Sequence, residues 1–280
     1  MDDLTLPLVS VVISSYNNHE TIVETLESVL SQEGVEFEVI LADHSSDDLL
    51  REALGDLIRN SRLKIMPKGN NEGMRNNWNR VTREARGRYV KLVAADDLLK
   101  PGTLARQALL LEETGAVLTA CEREIIDGQG NVLMARWGLR GLGKNPIPGS
   151  KAIRRSIRAG TNIFGEPVAV TMNREALETA NFWHEGFPYF LDHATYVNVL
   201  ALGDFVPDNH VGASFRVSEK QLSSELLKEQ LRQGKKFHRW LRSEHRQIVS
   251  WPDVAVGRIL ATGLWWARRL FYLLLHLRGS

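Results

Sequence analysis

The sequence predicts an α/β fold built on a mainly parallel sheet, and three observations predict it. Short β-branched runs recur at residues 8–14, 35–42, 64–66 and 89–93. Segments with helical spacing of apolar residues, 19–32, 47–60 and 71–86, lie between them. Strands of this length alternating with helices of this length make βαβ units, whose sheets are covered on both faces. The third observation is that the first, second and fourth runs end in similar chemistry, for carboxylates and small polar residues gather after them.

The elements follow in order. Pro101 is expected in the first turn of a helix over 101–113, where its missing N–H costs nothing. Residues 117–121 and 124–126 read as strands, closed by a turn at Asp127-Gly128-Gln129-Gly130. Three glycines and two prolines without periodicity make 137–148 a loop. Residues 167–172 read as a strand, 190–202 as a helix and 211–217 as the last strand, and everything after 219 is helical in character. The expected organisation is an α/β domain over 1–218 and a helical, basic, amphipathic extension over 219–280.

Length and composition bound the function. A chain of 280 residues with 43% apolar and 25% charged residues can bury one large core. Its single cysteine, Cys121, precludes an intrachain disulfide and fits a core thiol in a reducing compartment. Acidic residues precede the first apolar run, the reverse of a signal peptide. No stretch approaches the roughly 18 uncharged apolar residues of a spanning helix. The net charge of +1 hides an asymmetry, since residues 220–280 carry 12 Lys/Arg against 4 acids while the remainder is acidic. A basic tail on an acidic body suggests an anionic partner, and the tail's apolar content favours lipid over nucleic acid. From Arg258, polar residues fall at Thr262, Trp265, Arg269, Tyr272 and His276, opposite Ile259, Leu260, Leu264, Leu270, Phe271 and Leu274. Such a helix suits a headgroup boundary, or else docks on its own domain or on a second copy.

Open parallel sheets bind ligands beyond the carboxyl ends of their strands. The first run ends Ser14-Ser15-Tyr16-Asn17-Asn18, the second Asp43-His44-Ser45-Ser46-Asp47-Asp48, the fourth Ala94-Ala95-Asp96-Asp97. Asp47 or Ser46 as an ordinary helix cap is the plain alternative for part of this. Adjacent Asp96 and Asp97 repel unless a cation or donors compensate. A lone carboxylate suits a base or ribose, and a carboxylate pair suits Mg²⁺ or Mn²⁺ bridging phosphate oxygens.

These residues resemble a known family. Val9-Ser10-Val11-Val12-Ile13-Ser14-Ser15-Tyr16-Asn17 resembles the opening strand of family-two glycosyltransferases, and Asp43-His44-Ser45-Ser46-Asp47-Asp48 resembles their second-strand motif. Asn71-Glu72-Gly73, Asn77, Gly87-Arg88-Tyr89-Val90 and Ala95-Asp96-Asp97 follow that family's order up to its Asp-x-Asp element. Leu191-Asp192 resembles its catalytic position at the head of a helix, and Phe215-Arg216-Val217-Ser218 its closing segment. The resemblance spans about residues 7–220 and departs from the pattern at Ala94 and Leu191, where acids are common.

It implies the GT-A nucleotide-diphospho-sugar transferase fold, a Rossmann-like mixed sheet, and inverting sugar transfer from a nucleotide-diphosphate donor (a UDP-sugar) to a glycan or lipid-linked acceptor. By the same resemblance Ser14, Tyr16, Asp43, Gly73, Asn77, Asp96 and Asp97 bind the nucleotide sugar, with Asp43 accepting from a uracil-like N–H. Asp96 and Asp97 hold Mg²⁺ or Mn²⁺, and Asp192 is the general base. The setting implied is surface polysaccharide or glycolipid synthesis at the inner face of the cell membrane, with an oligomer possible and no nucleic acid partner.

Two other classes compete: a catalytically silent binding module of the same fold, and a sugar-phosphate nucleotidyltransferase. The second needs a Gly-rich basic loop after strand one, where this chain has Ser-Ser-Tyr-Asn-Asn. The run Gly138 to Asn145 imitates a phosphate loop but follows no clear strand and leads into Pro146 and Pro148. His184, His193 and His210 lack metal-ligand spacing. Trp183, Phe187, Tyr189 and Phe190 flank Asp192 and either stack on an acceptor sugar or pack the core.

Overall fold

The structure is a computed structural model describing residues 6–217 and 224–278, the side chains of 224–228, 230–231 and 265–278 excepted. One nine-stranded sheet organises it. Strands β1 (Val9–Ser15), β2 (Phe37–Asp43), β3 (Leu63–Ile65) and β4 (Tyr89–Ala94) form, as expected, a parallel block in the order β3-β2-β1-β4. Val9, Val11, Val12 and Ile13 are fully buried although they alternate in direction, because helices cover both faces.

Beyond β4 the sheet is mixed. Of the remaining strands, β5 is the short Leu98–Leu99, β6 spans Leu118–Ile126, β7 Val132–Trp137, β8 Val170–Asn173 and β9 Phe205–Arg216. Strand β8 runs antiparallel between β4 and β6, β9 lies parallel to β6, and β5 closes the edge against β9. Residues 117–121 and 124–126, expected as two strands, are one strand with register shifts at Cys121–Arg123. Residues 167–169 form a 3₁₀ turn before β8, and the last strand starts six residues earlier than expected. Strand β7, of which only Trp137 falls in the expected loop, goes unmarked in the sequence because all six of its residues are exposed and no alternation shows.

The helices are α1 (Ile22–Leu30), α2 (Leu49–Leu54), α3 (Met74–Thr82), α4 (Thr103–Thr114), α5 (Gly149–Ala159), α6 (Arg174–Thr179), α7 (Leu191–Leu200), α8 (Ser224–Glu244) and α9 (Trp251–Arg278). Pro101 lies outside α4, which begins after a left-handed Gly102. Helix α6 escapes a periodicity reading because six residues make too few turns, yet Asn173 caps it by accepting from the Ala176 N–H at 2.9 Å. Asp47 gives α2 no such cap; its Oδ1 accepts only from the Leu49 N–H at 3.3 Å.

Two cores flank the sheet. Ile22 and Leu26 of α1, Leu50 of α2 and Leu104 of α4 fill one. The other takes Val81, Ile153, Leu177 and Val197, and also Phe237 and Leu241 of α8 and Val254 of α9. The extension therefore shares the core of the sheet domain. An aromatic seam joins them, with Phe237 stacked on Phe190 at 4.9 Å and edge-on to Phe187 at 5.7 Å. Helix α9 crosses α5 so closely that a Cβ at Gly160 or Gly257 would collide with the other helix's backbone. The expected apolar and polar faces of the tail from Trp265 to His276 lie outside the described side chains, as does Ser218. No helix among the described residues is long and apolar enough to cross a membrane.

Candidate functional site

The register of the parallel block builds one rim. Ser14 sits opposite both Ala42 and Ala94, and Ser15 opposite Asp43, so the chain leaves β1, β2 and β4 at the same edge. Asp43 and the residues after β4 are thus two strand spacings apart, about 10 Å.

The loops at this rim are tied to one another. Asp43 Oδ1 accepts from the Ser45 N–H at 2.9 Å, and Ser45 Oγ accepts from the Asn17 N–H at 2.9 Å. Asn17 takes a left-handed φ of 56°, which ordinary side chains avoid but Asn tolerates. The neighbouring Tyr16 stays 49% exposed, its ring free at the rim. Thr21 Oγ1 donates to the Ala95 carbonyl at 2.8 Å, fastening the start of α1 to the turn after β4.

Gly73 and Asn77 serve one loop. Gly73 precedes α3 with φ 87°, and nothing lies within 4 Å of where a Cβ would stand, so the demand at this position is conformational. Asn77 is buried, accepting from the Glu72 N–H at 3.2 Å and donating to Asn71 Oδ1 at 2.9 Å. Asn71 Oδ1 also accepts from the Gly73 N–H at 3.0 Å. Asn77 thereby holds the shape of residues 71–73 from behind.

Asp96 and Asp97 differ in environment. Asp97 is buried; one oxygen accepts from the Arg216 N–H at 3.0 Å and the other, Oδ2, has no partner. Burial and then the charge of Asp96 push its carboxyl well above the carboxylate range. Burial also raises Asp96, whose side chain is half-buried, with Arg216 drawing it back. Arg216 ends β9 as a clamp, donating to the Asp96 carbonyl at 2.9 Å, to the carbonyls of Asp127 and Gly128, and to Glu24 at 2.6 Å.

Asp192 opens α7. Its Oδ1 accepts from the His193 N–H at 2.7 Å and its Oδ2 from Asn162 Nδ2 at 2.9 Å. Burial, aided by the charge of Glu166, pushes this carboxyl up to about 7, against the opposing effect of both donors. The charge of Glu166 also raises Asp97, so Glu166 lies within electrostatic reach of both aspartates. It is ion-paired with the buried Arg123.

Sequence reasoning missed Asn162, Glu166 and Arg123. The signal lay in Asn162-Ile163-Phe164-Gly165-Glu166-Pro167, where Asn162 Oδ1 accepts from the N–H groups of Phe164 and Gly165. Gly165 has φ 107°, and a Cβ there would press on the Arg123 guanidinium.

Other candidates resolve into packing. Trp183 is buried, donates to Thr82 Oγ1 at 2.9 Å and meets Trp78 edge-on, while Phe187 lines the seam with α8. The glycine-rich run from Gly138 buries Leu139 and Leu142 in the core and presents no helix N-terminus. His193 is buried against Ser156 Oγ at 3.0 Å, and burial lowers it to about 3. His210 pairs with Asp208 at 3.0 Å. Among the described residues no group of three or more His, Cys, Asp or Glu is disposed to hold a metal ion.

A carboxylate rim on this sheet order is the architecture of GT-A nucleotide-sugar enzymes, and comparison with known proteins agrees. The family model described as Glycosyl transferase family 2 matches residues 10–179, and the chain belongs to that family. The chain is 24% identical over 232 residues to the UDP-Glc:alpha-D-GlcNAc-diphosphoundecaprenol beta-1,3-glucosyltransferase WfaP of Escherichia coli, covering 82% of this chain and 85% of WfaP. Two relatives at 31% identity align over less, and the chain spans only 57% and 36% of their lengths.

Among solved structures, S. aureus TarS 1-349 in complex with UDP-GlcNAc superposes with a TM-score of 0.63 at 17% identity, covering 84% of this chain and 66% of that one. The mannosyltransferase PcManGT of Pyrobaculum calidifontis, in complex with GDP-Man and Mn²⁺, gives 0.61 at 16% identity, covering 99% and 77%. These likenesses establish the GT-A fold.

Proposed function

We propose that the protein is an inverting glycosyltransferase that moves a sugar from a UDP-sugar to a glycan or lipid-linked acceptor in surface polysaccharide or glycolipid synthesis. The observation that carries the reading is the shared rim, where β1, β2 and β4 end together at Ser14, Asp43 and Asp96–Asp97, with Asp192 held at the head of α7 by Asn162 and the His193 N–H and its carboxyl raised by burial to about 7. A general base is most effective when its pKa is near the working pH. The membership of family two and the relatives' nucleotide-sugar and diphosphoundecaprenol chemistry support the same reading.

In this reading Tyr16 stacks on the base, Asp43 accepts from its ring N–H, and Ser14 with the Gly73 turn lines the sugar-phosphate path. Asn77 acts by shaping that turn. Asp192 takes the proton of the acceptor hydroxyl as its oxygen attacks the anomeric carbon and the nucleoside diphosphate departs. No covalent nucleophile is needed. Positioning the two substrates together supplies much of the rate.

The donor set at Asp96 and Asp97 fits a hard cation shared with substrate phosphates, since Mg²⁺ is commonly held by one or two carboxylates plus phosphate oxygens. Asp96 would be the principal ligand, and the unpartnered Oδ2 of Asp97 stands beside it. Bound there, Mg²⁺ or Mn²⁺ would neutralise charge on the departing diphosphate. Location at the inner face of the cell membrane, with peripheral contact through the C-terminal helix, completes the proposal. No nucleic acid enters it.

A thermal-shift screen with UDP, GDP and their sugars, followed by donor hydrolysis with and without Mn²⁺, tests the reading. Stabilisation by a nucleoside diphosphate is expected by mass action. Binding without turnover on any acceptor would favour the silent module, and pyrophosphorolysis of the donor would favour the nucleotidyltransferase.

A further inference from the structure

Helix α8 has two faces with opposite tasks. Gln233, Phe237, His238 and Leu241 are buried against the sheet domain. Lys235, Lys236 and Arg239 fall on the opposite side of the helix and are exposed. Among the described residues none of these three has a carboxylate within 4 Å, whereas Arg232 on the same face is paired with Glu229. The basic face does not end with the helix. Arg242, one turn on from Arg239, lies over the indole of Trp251 at 5.5 Å, and Trp251 is 61% exposed at the head of α9. Ile259, two turns further along α9, is 71% exposed.

The two arms of this surface suit the two layers of a membrane interface. Unpaired ammonium and guanidinium groups on a fixed plane attract anionic headgroups, and an indole with a cation over its ring belongs at the headgroup level. A solvated face with no partner would have no use for exposed Trp251 and Ile259. Single-stranded RNA is the other polyanion, but it is bound in grooves whose aromatic rings accept stacked bases. Trp251 already has Arg242 over its ring.

We infer that the outer face of α8 and the start of α9, centred on Lys235, Lys236, Arg239 and Trp251, form a docking surface for an anionic bilayer. The binding stands on this surface alone; its consequence rests on the proposed function. Gln233 Oε1 accepts from the Tyr189 N–H at 3.1 Å, and Phe237 packs on Phe190 and His193, which bracket Asp192. A leaflet held on one side of α8 therefore sets the orientation of the cleft on the other, so that a lipid-linked acceptor is delivered in register.

The test is co-sedimentation of the full chain with vesicles of phosphatidylcholine containing about 30 mol% phosphatidylglycerol, against phosphatidylcholine alone. The expected result is salt-sensitive binding to the anionic vesicles only, weakened at least about 10-fold in the variant Lys235→Glu/Lys236→Glu/Arg239→Glu. Trp251→Ser is expected to weaken binding as well, with the charges intact. Equal binding to neutral vesicles, no binding to either, undiminished binding of the triple variant, or binding to an RNA oligomer in preference to vesicles would each overturn the inference. An unchanged melting temperature shows that the variants fold. The UDP-induced shift of the same samples reports separately on the nucleotide site, so failure of the proposed function is distinguishable.

Discussion

The side-chain amide of Asn162 donates to Asp192 Oδ2 at 2.9 Å and, through the same nitrogen, to the Gly165 carbonyl. A single residue thus aims the carboxyl at the head of α7 and shapes the turn that presents Glu166. Asp192→Asn is expected to abolish sugar transfer while leaving the affinity for UDP within about twofold, since a base typically supplies ~10²–10⁴-fold. Calorimetric titration with UDP beside a transfer assay checks it, and a lost nucleotide signal in a folded variant would contradict the assignment.

The pH profile follows from the same carboxyl. With the group pushed up to about 7, the transfer rate should rise roughly tenfold per pH unit below neutrality and level off above about pH 8. Asn162→Ala removes a donor that favours the ionised form, so its acidic limb should move to higher pH. Glu166→Gln removes a repelling charge and should move it lower. A misfolding effect would scale the profile without displacing it.

Stability responds with a defined sign. The carboxyl of Asp192 is raised on folding, so its ionisation costs nothing below about pH 4 and the full penalty applies above pH 7. Asp192→Asn should therefore raise the stability at pH 8, by roughly 1–3 kcal/mol for this partly exposed group, and leave it unchanged near pH 3.5. Thermal denaturation at the two pH values decides.

Lys91 offers the mirror case. It is fully buried in β4, donating to Gln107 Oε1 at 2.9 Å and the Val170 carbonyl at 3.3 Å, and burial lowers it to about 8. Below pH 8 the amine is charged in both states and the folded state bears the whole desolvation cost; the cost fades as pH rises toward 10.5. Lys91→Met should stabilise by roughly 1–3 kcal/mol at pH 7 and by little at pH 10. Thr171 Oγ1 continues to donate to Gln107, at 2.6 Å, so no acceptor is stranded there.

Breaking the Arg123–Glu166 pair strands a buried charge. Glu166→Gln, which leaves the buried Arg123 guanidinium without its carboxylate, should cost roughly 3–5 kcal/mol, and Arg123→Met combined with Glu166→Gln should recover part of it. Urea denaturation of Arg123→Met, Glu166→Gln and the double variant beside the parent completes the cycle.

At the rim, Tyr16→Ala should weaken UDP binding about tenfold without altering the melting temperature, because an exposed ring contributes little to the core. Chelation by EDTA should suppress transfer, with Mn²⁺ restoring it, and Asp96→Asn should blunt that restoration.

How far the sequence could be read follows from what each element buries. Strands β1, β2 and β4 are legible because burial on both faces writes a nearly continuous apolar run, and the aspartates after β2 and β4 keep the rim visible as spacing. Strand β7 and helix α5 are not. The first is exposed throughout, and the second begins within a Gly/Pro-rich stretch whose glycine, Gly149, is fitted against the carbonyls of Leu200 and Gly203. Glu166 was illegible for another reason: its partner Arg123 is 43 residues away in β6, and only the folded sheet brings them together. The basic charge of the last sixty residues was plain, but which cations face outward depended on Phe237 finding Phe187 and Phe190.

That aromatic seam sets the smallest piece of the chain that can stand alone. Cutting after β9 would keep every rim residue, yet it would strip the cover from Phe187, Phe190 and His193 and leave an oily scar beside the Asp192 carboxyl. Helix α8 behaves as a structural member of the sheet domain, and a shortened protein would be expected to clump before it could be assayed.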